Sequence, residues 1–399
     1  MQSLFILGRQ PALGLAELES IYGADALKPV GPNATLAAID PSQVEFSRLG
    51  GSIKLCKLLT ELPTTEWRDI EKYLLETVPE HLEDIPEGKF KLGLSTYGLR
   101  ARPTEMNASG LRLKKLIKAR GRSVRIVPNK TIALNSAQVL HNGLTSQTGW
   151  ELVCYRVGSK TLLCQTYAEQ DIESYAARDQ NRPKRDAKVG MLPPKLAQII
   201  VNLAVGDTNP LYGPVVLDPF CGTGVLLQEA TLMKFDVYGS DIEPRMIEYT
   251  DTNLRWLEKS FDVVRSNGPD ARYFSLEVGD ATTHTWKPMP NFVAAETYLG
   301  KPLSKEPNET LLHTIMGECD RIHRGTLDNL ARQLPKGARL CLAVPAWRIK
   351  NGYKHLKTLD YIRELGYTRI EFRFAKASDL IYHRDDQIVA RELVVLQKN

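Results

Sequence analysis

Long apolar runs are missing from this chain: no stretch of its 399 residues approaches the 18 or more apolar residues of a bilayer-spanning helix. The N-terminal segment MQSLFILGRQPALGLAELES has one short apolar run, with neither a basic start nor a small-residue cleavage site. It reads as a first strand and helix and not as an export signal, so the expected location is the cytoplasm, with no membrane partner. Cysteine is scarce too. The six, at 56, 154, 164, 221, 319 and 341, include no CxxC pair and no histidine at a zinc-like interval, which argues against structural zinc and against a disulfide scaffold. Cys154 and Cys164 flank the hairpin VCYRVGSKTLLC, where cross-strand packing of small side chains is the simpler reading. His284, His313, His323, His355 and His383 form no metal-ligand pattern and no activated-nucleophile pair, so no metal is expected.

What is present suits two or three globular domains: 43% apolar residues, 25% charged, and a net charge of +5. The charge is unevenly spread. Between Lys89 and Tyr167 stand 14 Lys and Arg against only Glu105 and Glu151, a local balance of +12 that leaves −7 for the rest. A basic module joined to an acidic one suggests a polyanion-holding part attached to something else.

Along the chain, FILG starts a strand, PALGLAELESIYG is a helix with Pro11 in its first turn, and TLAAI is a second strand. Asp40, Pro41 and Ser42 are placed to open a further helix, QVEFSRLGG, before a strand over 53–62. Residues 66–78 look helical, and 79–88, PEHLEDIPEG, reads as a turn-rich linker. KFKLGLSTYG is then a strand, and ASGLRLKKLIKARG an amphipathic helix with Ser109 as its cap and Gly121 as its stop. Leu113, Leu116 and Ile117 supply its buried stripe, while Lys114, Lys115 and Lys118 project elsewhere and Arg120, Arg122 and Arg125 extend the positive surface. These six are the candidate polyanion-binding residues, with backbone phosphates as the expected contact and ordinary surface charge as the alternative. SVRIVP and the hairpin strands ELVCYRV and KTLLCQTY complete the module.

After a polar, proline-bearing connection, PPKLAQIIVNLAV reads as a helix, and from Val215 onward strands and helices alternate as in an α/β sheet. Its strands are VVLDPF, DVYGSD, YFSLEVGD, NFVAAE, RLCLAVP and YTRIEFRF, with LIYHRDDQIVARELVVLQ as a terminal hairpin turning at Asp385 and Asp386 and adding an antiparallel edge. Within VVLDPFCGTGVLLQEA, Gly222 and Gly224 allow a tight turn and close backbone approach at a helix N-terminus. Neither a Walker lysine nor GxGxxG is there. Asp218, Asp241 and Asp280 stand at three successive strand tips, where parallel sheets gather their ligands. An acid at 241 suits a ribose; Asp280 suits an adenine amino group or, equally, a local cap.

DPFCGTGVLLQEA, with GSDIEPRM and GDAT, resembles the Rossmann-like S-adenosylmethionine-dependent methyltransferases. The segment RDQNRPKRDAKVGMLPPKLAQIIVNLA, with AQVLHN and LIYHRDDQIVARELVVL, is similar to the Trm11-type THUMP-domain tRNA guanosine N2-methyltransferases. That resemblance implies a ferredoxin-like domain at 1–85, a THUMP RNA-binding domain at 86–168, a linker at 169–192 and a seven-stranded Rossmann-like methyltransferase domain at 193–399. It implies tRNA as partner, guanosine 10 as target and S-adenosylmethionine as cofactor. Asp218, Phe220, Gly222 and Gly224 would surround the methionine part, Asp241 would take the ribose, and Ile242 and Asp280 the adenine. Arg182, Pro183, Arg185, Asp186 and Pro194 would orient domains and shape the rim, a plain surface tie explaining Arg182 and Asp186 equally well.

In that family the fourth strand ends in Asp-Pro-Pro-Tyr, whose acid holds the exocyclic amine while the ring stacks on the flipped base. Here Ala295, Glu296, Thr297 and Tyr298 stand instead: with Tyr298 aligned the acid position is Ala295 and both prolines are lost, whereas with Glu296 in the acid's place the tyrosine is one residue closer; Glu296, Thr297 and Tyr298 are the catalytic candidates. A structural turn at Glu296 and an aromatic plug at Tyr298 are the bland counterparts. A noncatalytic tRNA-binding protein or chaperone, and a methyltransferase acting on another nucleic-acid amine, remain as alternatives.

Overall fold

The apolar run at the N-terminus becomes strand β1 (Ser3–Leu7), buried along its whole length. Pro11 then opens α1 (Pro11–Tyr22), where its missing N–H removes no helical hydrogen bond. The computed structural model describes residues 1–186, 192–210, 213–261, 263, 274–301, 303, 307–384 and 387–399. They fall into two compact units: residues 1–11, 25–47 and 52–173 in the first, and 12–24, 48–51 and 174–399 in the second.

In the first unit, β2 (Leu27–Gly31), β3 (Ala34–Ala37), β4 (Ser52–Leu62), β5 (Phe90–Tyr97), β6 (Val124–Ile126), β7 (Gly149–Val157) and β8 (Lys160–Glu169) join β1 in one eight-stranded sheet, in the order β2-β3-β1-β4-β8-β7-β5-β6. Because β4 pairs β8, strands from both sides of residue 85 share this sheet. Helix α2 (Trp67–Thr77) packs on it with α3 (Pro103–Ala119), while α4 (Ser136–His141) starts at an Asn135 cap.

Several expectations for this unit need correction. The stretch 79–88 is not a linker: Val78, Leu82 and Ile85 are buried with Trp67, Ile70 and Phe90, at a near-helical spacing that its prolines and acids disguise. Ser109 does not cap α3 but sits inside it, donating to Glu105 O at 3.0 Å and accepting from Trp67 Nε1 at 3.1 Å. The helix starts at Pro103, where Glu105 Oε2 accepts from Arg102 N at 2.8 Å. Leu116 is not in the buried stripe; it is 40% exposed, and Met106, Gly110, Leu113 and Ile117 form that stripe instead. Gly121, with φ +80°, ends the helix region as expected.

The helix expected over QVEFSRLGG is also absent. Asp40 does cap, its Oδ1 accepting from Ser42 N at 3.0 Å, but it opens only a 3-10 turn (Pro41–Gln43), followed by a second (Phe46–Arg48). The backbone beyond is needed elsewhere. Within the second unit, Glu17 on α1 accepts from Gly50 N at 2.9 Å, Gly51 N at 2.8 Å and Asn202 Nδ2 at 2.8 Å. A Cβ at Gly50 would meet Lys195 O at 2.0 Å, so the turn admits no side chain.

The second unit continues with the end of α5 (Ile172–Gln180) and with α6 (Pro194–Val205), almost wholly buried. Its sheet holds β9 (Val215–Asp218), β10 (Asp236–Asp241), β11 (Phe274–Val278), β12 (Phe292–Glu296), β13 (Arg339–Ile349), β14 (Gly352–Lys354), β15 (Tyr367–Arg369), β16 (Ile381–Tyr382) and β17 (Val389–Lys398). The main path runs β11-β10-β9-β12-β13-β17-β15, with β14 on β13 and β16 on β17. Helices α7 (Val225–Leu232), α8 (Pro244–Ser260) and α9 (Glu309–Gln333) connect the parallel strands. From β9 the chain steps outward to β10 and β11 and then crosses back to β12 on the other side of β9, a reversal of strand order that opens a crevice at the carboxyl ends.

The terminal strand is not the edge. β17 lies between β13 and β15, because Leu393, Val394, Val395 and Leu396 are all buried and such a run needs cover on both faces. Asp385 and Asp386 lie outside the described residues, as does Tyr273 at the start of the expected third strand. Among the described residues, no helix is long and apolar enough to cross a membrane.

Candidate cofactor and substrate site

The β9 tip turns on Asp218, whose Oδ1 accepts from Phe220 N at 3.0 Å. Gly222 (φ +51°) and Gly224 (φ +83°) then carry the chain into α7 in a left-handed conformation. A Cβ at Gly224 would lie 2.8 Å from Thr250 Cγ2. Thr250 Oγ1 donates to Gly222 O at 2.8 Å, and Asn253 Nδ2 donates to Thr223 O at 2.8 Å. Sequence reasoning missed Thr250 and Asn253, since each resembles an ordinary polar residue of an amphipathic helix; their spacing three apart on α8 was the one signal. Asn253 also bonds Lys184 N and O, both at 2.9 Å, so the segment before α6 is fastened to the same loop.

Asp241, at the β10 tip, accepts from Gly222 N through Oδ2 at 2.9 Å and from Glu243 N through Oδ1 at 3.0 Å. The Ile242 N–H also acts on this carboxylate, so backbone amides hold the group in place. Ile242 beside it is 63% exposed, an apolar face open to a ligand. Asp280 is exposed and caps its own turn, Oδ1 accepting from Thr282 N at 2.8 Å and Thr282 Oγ1 at 2.7 Å.

Two adjoining cavities occupy the crevice. One, of about 430 Å³, is bordered by Asp218, Gly222, Asp241, Glu296 and Lys301. The other, of about 640 Å³, is bordered by Asp280, Ala281, Glu318 and Ile322. Phe220, Asp241, Ile242 and Tyr298 line both, so the candidate cofactor residues Asp218, Phe220, Gly222, Asp241, Ile242 and Asp280 border adjoining cavities; Gly224 lines neither and instead caps α7. Leu192, Met246, Ala281 and Ile322 are lining residues that motif reading did not find.

The crevice is acidic. Burial pushes the Asp218 carboxyl well above the usual range, the neighbouring Asp241 and Glu296 charges adding to this against the Phe220 N–H. Burial likewise raises Asp241. A cation brought beside such a cluster would favour the ionised carboxylates against this burial.

The fourth-strand residues take three different situations. Glu296 Oε1 accepts from Arg391 Nε at 2.9 Å. Tyr298 is half-buried between the two cavities, its hydroxyl donating to Glu318 Oε1 at 3.3 Å. Thr297 also borders the smaller cavity, but it is buried and its hydroxyl is hydrogen-bonded inward. His323 Nδ1 lies 2.7 Å from Cys319 O, which only accepts, so Nδ1 carries the hydrogen and Nε2, at 2.6 Å, accepts from Thr297 Oγ1. Burial pushes His323 down to about 4, keeping it neutral.

Of the residues before α6, Asp186 pairs with Arg245 at 2.9 Å, Pro194 begins α6, and Pro183 and Arg185 are exposed. Arg182 is buried, and among the described residues none of its three guanidinium nitrogens has a hydrogen-bond partner.

In the first unit, Lys115, Lys118, Arg120 and Arg125 are exposed and Lys114 is half-buried. Arg122 is partly spent, donating to Pro86 O. The two acids of this basic stretch do not offset the surface. Glu151 is buried against Lys54 Nζ at 2.6 Å, and Glu105 is held by Arg102 at 2.9 Å.

A mixed sheet with its acidic crevice at the β9–β12 switch point defines a Rossmann-type α/β methyltransferase-like fold. Residues 182–267 match the family model described as UPF0020, RMKL-like, methyltransferase domain. The tRNA (guanine(10)-N2)-dimethyltransferase of Methanothermobacter thermautotrophicus is 33% identical over 158 residues, 39% of each chain. Its counterpart from Methanocaldococcus jannaschii is 40% identical over 96 residues, 24% of this chain and 26% of that protein. The alignments thus span about two fifths or less of these relatives' length. The crystal structure of TrmN from Thermus thermophilus superimposes with a TM-score of 0.51 at 17% identity, covering 100% of both chains, a likeness of fold.

Proposed function

We propose that this protein transfers a methyl group from S-adenosylmethionine to the exocyclic N2 amine of a guanosine in tRNA, position 10 being the target that its relatives' names suggest. The observation that carries the reading is the crevice itself, in which Asp218, Asp241 and the Gly222 loop adjoin Glu296 and Tyr298. The residues suit the cofactor on three counts. Asp241 borders the crevice with a carboxylate that can accept from ribose hydroxyls, Ile242 offers an exposed apolar face for adenine, and the clustered carboxyl groups of Asp218, Asp241 and Glu296 suit a cationic ligand. Asp218, Phe220, Gly222 and Gly224 would hold its methionine part and Asp280 the adenine rim. When bound, the cofactor supplies an electrophilic methyl on a sulfonium.

The chain's own contribution is to position the base. Glu296 Oε2 accepts a hydrogen bond from the amine and so aims the nitrogen, and the amine's lost proton leaves through this carboxylate or water. Tyr298 stacks on the flipped ring. Thr297 and His323 hold the strand tip in place. Residues 1–85 are read as a ferredoxin-like domain and 86–168 as a THUMP domain, whose basic surface grips folded RNA through its phosphates, with 169–192 as linker and 193–399 as the catalytic domain. The cytoplasm is the assigned location, supported by six buried free cysteines.

Replacement of Asp-Pro-Pro-Tyr by Ala295-Glu296-Thr297-Tyr298 favours one competing reading, a tRNA-binding protein without transfer activity. Labelled methyl transfer to unmodified tRNA, followed by nucleoside mass spectrometry, decides between them. N2-methylguanosine formed by the wild type and lost in Glu296→Ala, with cofactor affinity retained, supports catalysis; tRNA binding with no methyl incorporated overturns it.

A further inference from the structure

A glutamate in place of a shorter acid raises a geometric problem. It has one more rotatable bond, and a carboxylate that wanders cannot aim an amine. The structure supplies a restraint from an unexpected place. Arg391 on β17 lies beyond β13, its backbone in register with Pro345, yet its Nε reaches Glu296 Oε1 at 2.9 Å. The guanidinium is itself fixed, Nη1 donating to Gln387 Oε1 at 2.6 Å. Both side chains are largely withdrawn from water, Arg391 at 8% and Glu296 at 16% exposure. Glu296 Oε2 has no donor among the described residues, and Glu296 borders the smaller cavity.

We propose that Arg391 is a positioning residue, which pins Glu296 through Oε1 so that Oε2 is left to read the exocyclic amine of a guanine in the cavity. This rests on the transfer reading for its substrate, but the geometry is that of this chain's own pair. Arg391 occupies one carboxylate oxygen and fixes the plane of the group, and its charge opposes the repulsion among Glu296, Asp218 and Asp241. The amine then meets a single oriented acceptor. An inosine base, which has no such amine, would leave that acceptor unpaired.

The test uses the full-length protein loaded with S-adenosylhomocysteine, with guanosine and inosine as competing ligands in ligand-observed NMR. The wild type is expected to prefer guanosine by about 10-fold or more, the scale of one hydrogen bond to a charged group. Arg391→Gln should reduce the preference to within about 2-fold, while Arg391→Lys, which keeps the charge but not the planar fork, should retain part of it. The double variant Glu296→Gln/Arg391→Gln should discriminate no worse than Glu296→Gln alone, because Arg391 acts only through Glu296.

An unchanged guanosine preference in Arg391→Gln, no preference in the wild type, or a further loss in the double variant would overturn the proposal. Should Arg391→Gln fail to fold, Arg391→Lys against wild type decides the same question. Methyl transfer to tRNA is measured alongside. A wild type that discriminates guanosine yet transfers nothing refutes the transfer reading and leaves Arg391's role standing.

Discussion

Gly222 donates its backbone N–H to Asp241 Oδ2 at 2.9 Å, so the glycine loop of one strand is hydrogen-bonded to the acidic tip of the next. Asp241 therefore has two tasks, shaping the loop and receiving a ligand. Asp241→Ala should weaken S-adenosylmethionine binding by about 100-fold or more, two charge-assisted hydrogen bonds being worth at least that much. Asp241→Asn should fare little better, because its amide must turn an N–H toward either Gly222 N or Glu243 N. Titration calorimetry checks both, and an Asn variant of near-native affinity would show that the loop does not need the carboxylate.

The helix that supports this loop leads to a second expectation. Gly224→Ala places a Cβ about 2.8 Å from Thr250 Cγ2 at a φ of +83°. The combined strain and clash should cost about 1–3 kcal/mol of stability and reduce cofactor affinity as the loop shifts. Thermal melts with and without cofactor would show both effects; a variant that melts and binds like the wild type would mean that the loop is free to move.

The pH dependence of stability carries two opposed contributions. Burial pushes Glu17 up to about 7, against hydrogen bonds from Asn202, Gly50 and Gly51 and the Arg48 charge. The folded chain thus binds this proton more tightly than the unfolded one, so the stabilisation is complete below about pH 4.3 and is lost as pH rises through about 7. His323, lowered to about 4 by burial, acts the other way, its contribution being present above about 6.5 and lost as pH falls toward 4. The two slopes overlap and partly cancel in the wild type. The stability difference between wild type and Glu17→Gln isolates one of them, and should fall by up to about 3 kcal/mol from pH 4 to pH 8. Denaturant melts at four pH values suffice, and a pH-independent difference would show that Glu17 keeps its charge when buried.

Much of this was legible because strand tips and glycine loops advertise themselves. Asp218, Gly222 and Asp241 follow apolar runs directly, and the sheet order brings them together. The supporting residues were not legible, since Thr250, Asn253 and Arg391 act through contacts 28, 30 and 95 residues distant, which no local pattern encodes. β17 was misplaced at the edge because a strand's neighbours depend on the sheet as a whole, although the unbroken apolar run LVVL did signal two-sided burial. The bond from Thr297 to His323, which lies 26 residues on in α9, was not legible either, because a hydroxyl beside a candidate acid gives no local sign of where its hydrogen points.

The basic surface yields the last expectation, and it separates residues that composition treats alike. Lys118 and Arg125 are exposed, whereas Arg122 is half-buried with its guanidinium donating to Pro86 O. If the exposed cations meet RNA phosphates, each removed contact should lower the slope of log K against log salt by about 0.7–0.9 and weaken tRNA binding whatever the sequence. Lys118→Gln and Arg125→Gln should therefore each show a shallower salt dependence, and together show the sum. Arg122→Gln should leave that slope near the wild-type value and instead lower the melting temperature, because Pro86 O loses its donor. Filter-binding titrations at four salt concentrations distinguish the cases. Wild-type slopes for all three variants would mean that the cationic face of α3 and β6 is solvated surface, and that the RNA contacts must be sought on another part of the chain.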